Sequence, residues 1–116
     1  MEKKKGLVFD SQSYFGRFLK YEFKHDFVFD SYKSIEHFED SLESYSLVVF
    51  MIYNENEIID MMRLYKRGVP LIVSCLNKEL KLKLEKITDV VLFDCAKVKA
   101  EMRLELEYCI NLIAQV

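Results

Sequence analysis

Short apolar runs bounded by polar residues alternate along this chain with segments whose apolar residues recur at helical spacing, and that alternation constrains the fold more than any other feature. Gly6-Leu7-Val8-Phe9-Asp10 is the first run, the pattern of a strand buried on both faces. Phe15, Phe18, Leu19 and Phe23 follow at helical spacing, behind Ser11 or Ser13 as a cap. Phe27-Val28-Phe29 reads as a second strand, short enough for a sheet edge, and Ile35, Phe38 and Leu42 mark a second helix of three turns at most. Leu47-Val48-Val49-Phe50-Met51-Ile52 is the most continuous apolar run and is expected to be the central strand.

The second half repeats the pattern. Asn54 and Glu57 have capping-box spacing, and Ile58, Met61, Met62 and Tyr65 follow on one helical face. Gly68 suits the end of that helix, because glycine enters the left-handed region cheaply. Val69-Pro70-Leu71-Ile72-Val73-Ser74 is a fourth strand, with Pro70 at its start, where a missing N–H is tolerated. Asn77 can cap a fourth helix, although Leu80, Leu82 and Leu84 alternate and leave its buried face open. Residues 89–93 form the fifth strand, and residues 96–114 the longest helix. Five βα units in series, with no linker, repeat or low-complexity segment between them, predict one α/β domain over residues 1–116. Right-handed crossovers then give a doubly wound, five-stranded parallel sheet in three α/β/α layers, with the flavodoxin-like order 2-1-3-4-5.

Composition excludes several function classes. At 116 residues, folding buries roughly 60–70% of the unfolded surface, so no disulfide or metal staple is needed. A content of 51% hydrophobic and 31% charged residues, with three glycines and one proline, is not that of a disordered or collagenous chain. The net charge of −2 gives no general attraction to nucleic acid or to anionic membranes, and Lys3-Lys4-Lys5 reads as a solvated lead into the first strand. Every apolar run falls short of the about 20 residues that cross a bilayer, and the segment after Lys5 soon reaches Asp10, which is unlike a signal peptide. Cys75, Cys95 and Cys109 are odd in number and lack CxxC spacing, which points to a reducing cytoplasm rather than to zinc or a disulfide framework.

In order and spacing, nearly the whole chain resembles the receiver domain of bacterial two-component response regulators. Receivers open with a strand ending in paired acids; Leu7-Val8-Phe9-Asp10-Ser11 fits that place and keeps one acid. Their third strand ends in a phosphate-accepting Asp, where this chain has Met51. Their fourth strand starts near a proline and ends in Ser or Thr, as Pro70 to Ser74 does, and their fifth ends in Lys-Pro, where Asp94 takes the lysine position. Aspartyl phosphorylation needs a carboxylate nucleophile, Mg²⁺ on oxygen ligands and a cation near the new phosphate. Methionine supplies neither nucleophile nor hard ligand, and Asp94 would place negative charge where the phosphoryl oxygens need positive. The resemblance therefore implies a receiver without phosphotransfer, a non-enzymatic pseudo-receiver that needs no cofactor.

What remains at the pocket positions, Asp10, Ser11 and Ser74, has two readings: a remnant pocket for a small ligand or cation, or a helix cap and a strand-end hydroxyl satisfying the backbone. Cys75 and Cys95, just past neighbouring strand ends, form a redox pair only if their α-carbons come within about 7 Å, and they read better as small buried hydrophobes. His25 and His37 are isolated and read as surface residues. Asp10-Ser11-Gln12-Ser13 resembles the hydroxyl-rich phosphate loop of flavodoxins but has no glycine within it, so binding of flavin or another phosphorylated ligand stands as the alternative function.

The last helix carries an apolar surplus. At ~100° per residue, Val98, Met102, Leu106, Cys109, Ile110 and Ile113 make one broad face for the sheet. Leu104, Tyr108 and Leu112 form a second stripe nearly opposite, with Glu101 and Glu105 flanking it. Receivers associate through strand 4, helix 4, strand 5 and helix 5. The resemblance thus implies a protein partner or a homodimer on that surface, with no nucleic-acid or membrane partner.

Overall fold

The computed structural model describes residues 3–38, 42–67, 71–75, 77–86, 90–93 and 99–114. Five strands, β1 (Lys4–Phe9), β2 (Phe27–Tyr32), β3 (Leu47–Ile52), β4 (Leu71–Cys75) and β5 (Val91–Leu92), form one parallel sheet in the order β2-β1-β3-β4-β5. The α-helices among the described residues are α1 (Phe15–Glu22), α2 (Glu55–Tyr65), α3 (Lys78–Leu84) and α4 (Lys99–Ala114). This is the flavodoxin-like doubly wound architecture.

Side-chain alternation along the strands makes the three layers. Leu7, Phe9, Val48, Phe50, Ile52, Leu71 and Val73 face Met61 and Leu64 of α2 and Leu80 and Leu84 of α3. Val8, Leu47, Val49, Met51 and Ile72 face Phe15 and Leu19 of α1 and Met102, Leu106 and Cys109 of α4. β3, the most continuous apolar run, is buried at every position because both faces are covered. Gly6 allows a close approach of β2 to β1, since a β-carbon there would collide with the ring of Phe29.

Local chemistry sets several boundaries. Asn54 and Glu57 make the full capping box at the start of α2, each bonding the other's backbone N–H. Asn77 caps α3 by accepting from the N–H groups of Glu79 and Leu80. The open face of α3 is resolved by helical spacing, with Leu80 and Leu84 buried and Leu82 exposed. Gly68, Val69, Pro70 and Asp89 lie outside the described residues.

Two expectations are corrected. The second helix is absent from its described stretch; two 3₁₀ turns, Ile35–His37 and Leu42–Ser44, stand in its place. Ser34 gives its first turn no side-chain cap, and Phe38 is extended, at φ −93° and ψ 117°. The ring of Phe38 packs edge-on against Phe9 and Tyr32, at 5.8 and 5.3 Å between centroids, so its apolar spacing serves a loop laid on the sheet. The second correction concerns α1: its cap position is Tyr14, which makes no side-chain cap bond, and neither Ser11 nor Ser13 is the cap. Among the described residues no helix is long and apolar enough to cross a membrane.

Candidate functional site

The sheet register brings three of the expected pocket residues into one row at its carboxyl edge. Phe9 lies opposite Phe50, and Met51 lies opposite Ser74, so Asp10, one step beyond Phe9, is level with both. Val73 lies opposite Leu92, which extends the row to Phe93. Asp94 and Cys95 fall outside the described residues.

Asp10 is fully buried, and three donors from within the fold bond its carboxylate. Oδ1 accepts from the N–H of Gln12 at 3.0 Å and from the hydroxyl of Tyr53 at 2.7 Å, and Oδ2 accepts from the N–H of Phe15 at 2.6 Å. Its own N–H donates to the carbonyl of Tyr32, and its carbonyl accepts from Ser13 N–H at 3.0 Å. Ser13 adopts φ 55°, a left-handed conformation that turns the chain back so that Phe15 reaches the carboxylate. Burying a carboxylate is tolerated when hydrogen bonds replace its water, and here two main-chain donors and one phenol do so. Asp10 thus does from five residues away what Ser11 and Ser13 do not: it binds the first N–H of α1.

Tyr53, one residue past the end of β3, had no role in the sequence reading. Its phenol lies against the oxygen that an adjacent ligand or cation would use, while its N–H donates to Glu57 Oε1 at 2.8 Å. The available signal was positional: a hydroxyl-bearing ring directly after the central strand, beside a strand that ends in a lone acid.

Met51 is buried among Ile72, Phe93 and Met102 on the α1–α4 side of the sheet. The Ser74 hydroxyl, also buried, donates to the carbonyl of Phe93 at 2.9 Å and so ties β4 to the end of β5. Ser11 instead lines a cavity of about 180 Å³ with Phe9, Lys33, Asn54, Asn56 and Asp60. Glu57, on the same wall, is engaged by the N–H groups of Tyr53 and Asn54.

Two of the three cysteines, Cys75 and Cys109, lie among the described residues, and both are free thiols. Cys75 is half-buried with its Sγ 3.5 Å from the carbonyl of Asn77. Burial, aided by the charge of Glu105, pushes the Cys109 thiol up to about 11, so it stays protonated at neutral pH. His25 is exposed, as expected, and the side chain of His37 lies outside the described residues. Among the described residues no three His, Cys, Asp or Glu side chains come together as a metal site.

On α4, Met102, Leu106 and Cys109 are buried against the sheet and Ile110 is half-buried, while Val98 and the side chain of Ile113 lie outside the described residues. The opposite stripe stands in solvent, with Leu104 67%, Tyr108 66% and Leu112 39% exposed. Arg103 joins α4 to α1 through Glu22 at 3.7 Å and pairs with Glu107 at 3.4 Å. No protein-family model and no curated protein matches this sequence.

Proposed function

We propose that this chain is a pseudo-receiver, a non-enzymatic module that signals or scaffolds through protein–protein contact. The observation that carries the reading is the internal hydrogen bonding of Asp10 beside Met51. A phosphotransfer edge keeps its acid free for Mg²⁺ and supplies a second carboxylate as nucleophile. Here the acid accepts from Gln12, Phe15 and Tyr53, and its neighbour in the row is a buried thioether.

The same bonds count against the alternative of a flavin or other phosphorylated ligand in the β1–α1 loop. A phosphate loop aims its N–H groups outward at the anion, whereas those of Gln12 and Phe15 point at Asp10. The contact surface proposed is the outer stripe of α4, together with β5 and with α3, where Leu82 is exposed as well. Two leucines and a tyrosine on one helical face give a small apolar centre, and Tyr108 can bury its ring while its hydroxyl stays wet.

The test is the pair of substitutions Leu104→Ser and Leu112→Ser in one chain, compared with wild type by sizing, light scattering and pull-down. The expected result is a folded protein whose self-association or partner retention falls at least about tenfold, equivalent to about 1.4 kcal/mol. Unchanged association in the folded variant would remove the stripe from the interface.

A further inference from the structure

The groove between α1 and the start of α4 has no part in the pseudo-receiver reading, and its chemistry is of another kind. It encloses about 280 Å³. Its floor is apolar: Phe15 and Met102 are buried, and the rings of Phe15 and Phe18 pack at 5.1 Å between centroids. Tyr14 and Tyr21, 72% and 68% exposed, also line it from one face of α1, and the Lys24 ammonium lies 4.8 Å from the centroid of the Tyr21 ring.

The charges around the groove are unevenly satisfied. Arg17 follows Tyr14 by three residues and precedes Tyr21 by four, which sets it on the same side of α1 as both rings, and Lys99 lines the groove from α4. Among the described residues neither cation has a salt bridge, the common condition of the lysines and arginines there, of which Arg63 and Lys83 have one each and Arg103 has two. Glu22, the one acid lining the groove among the described residues, pairs with Arg103 at 3.7 Å. In a chain of net charge −2, this groove therefore presents two unneutralised cations beside aromatic walls.

We propose that this groove binds a free small molecule made of one aromatic ring joined to an anionic group, an aryl phosphate or a related ring-bearing anion. The ring lies on Phe18 against Tyr14, and the anion meets Arg17 and Lys99. Arginine's planar fork suits a phosphate or carboxylate, and tyrosine faces suit a flat apolar ring. Neither half is sufficient alone, because exposed cations hold an anion weakly in water and a small ring buries little area. The volume sets the size of the ligand: it lies just under the roughly 300 Å³ at which pockets for drug-sized molecules begin, enough for one ring system and too small for a flavin dinucleotide.

The test uses the full chain, isotope-labelled, with nuclear magnetic resonance shifts read residue by residue. The probes are phenyl phosphate, inorganic phosphate and benzyl alcohol. Phenyl phosphate is expected to give saturable shifts centred on Tyr14, Arg17, Tyr21 and Lys99, with affinity at least about tenfold above either half-probe. Arg17→Gln and Lys99→Gln, both at exposed positions, should each weaken it about tenfold while the rest of the spectrum shows an intact fold. Leu104→Ser should leave it unchanged, which separates this site from the α4 stripe. Three results would overturn the proposal: no saturable shift, equal affinity for inorganic phosphate, or shifts that map away from the groove.

Discussion

At the carboxyl end of β1 a carboxylate is buried and bonded by three internal donors, whereas on the outer face of α4 two leucines and a tyrosine stand in solvent. Each region holds the kind of group expected of the other. A reactive strand edge would leave its acid free, and a helix serving only as a lid would present polar residues outward. The contrast shows where the chain's polar and apolar groups are committed. Hydrogen bonding at the edge is spent internally on holding the β1–α1 turn, and the unused apolar area lies on a surface where a partner can cover it.

The comparison breaks most visibly at Met51. Met51→Asp places a carboxylate in the α1–α4 core and removes a buried thioether, and it should destabilise the fold by about 4 kcal/mol in urea titration. The variant should still resist phosphorylation, since a single restored acid brings neither the second acid nor the cation. A stable, phosphorylatable Met51→Asp would show the edge to be open after all. Next in size is Asp10→Ala, which orphans the N–H groups of Gln12 and Phe15 together with the Tyr53 hydroxyl, a loss of about 3 kcal/mol. This variant sharpens the contrast in a particular way. An acid kept for function is often a burden on the fold, so an Asp10→Ala protein more stable than wild type would make Asp10 a functional group rather than a structural one.

Smaller changes probe the same contrast. Tyr53→Phe removes one of the three bonds while the ring stays packed, and it should cost about 1 kcal/mol. Leu104→Ser on the exposed stripe should change stability by less than about 0.5 kcal/mol, and Leu112→Ser, at a residue only 39% exposed, by about 1 kcal/mol, with thermal or urea unfolding as the readout. A loss of 2 kcal/mol or more at either position would mean that the side chain is covered within the monomer, which would end its candidacy as a contact surface; that threshold is roughly the value of a fully buried leucine.

Sequence pattern carried the alternation of strands and helices and the caps at Asn54 and Asn77, because period-2 and period-3.6 signals and short polar caps are local properties, whereas the strand order rested on the rules for crossovers in five βα units. The second helix was misread for the opposite reason. Ile35, Phe38 and Leu42 are spaced like a helix face, yet Phe38 is fixed by an aromatic cluster whose other members, Phe9, Tyr32 and Tyr45, come from three separate segments. At the edge, the register of β1, β3 and β4 put Asp10, Met51 and Ser74 in one row as their strand positions implied. Tyr53 escaped notice because its bond to Asp10 spans 43 residues and depends on where a loop sets a ring. The α1–α4 groove escaped for a similar reason: Arg17 and Lys99 are far apart in sequence, and only helix packing makes them neighbours of one cavity.

The central proposal is that the carboxyl edge does not accept a phosphoryl group. Its most direct test is to incubate the purified chain with acetyl phosphate and Mg²⁺ and record its intact mass, with a conventional receiver as the positive control. The account predicts a mass unchanged from the untreated protein while the control is modified. A phosphoryl increment that disappears when Asp10 or another single aspartate at this edge is replaced by asparagine would contradict it.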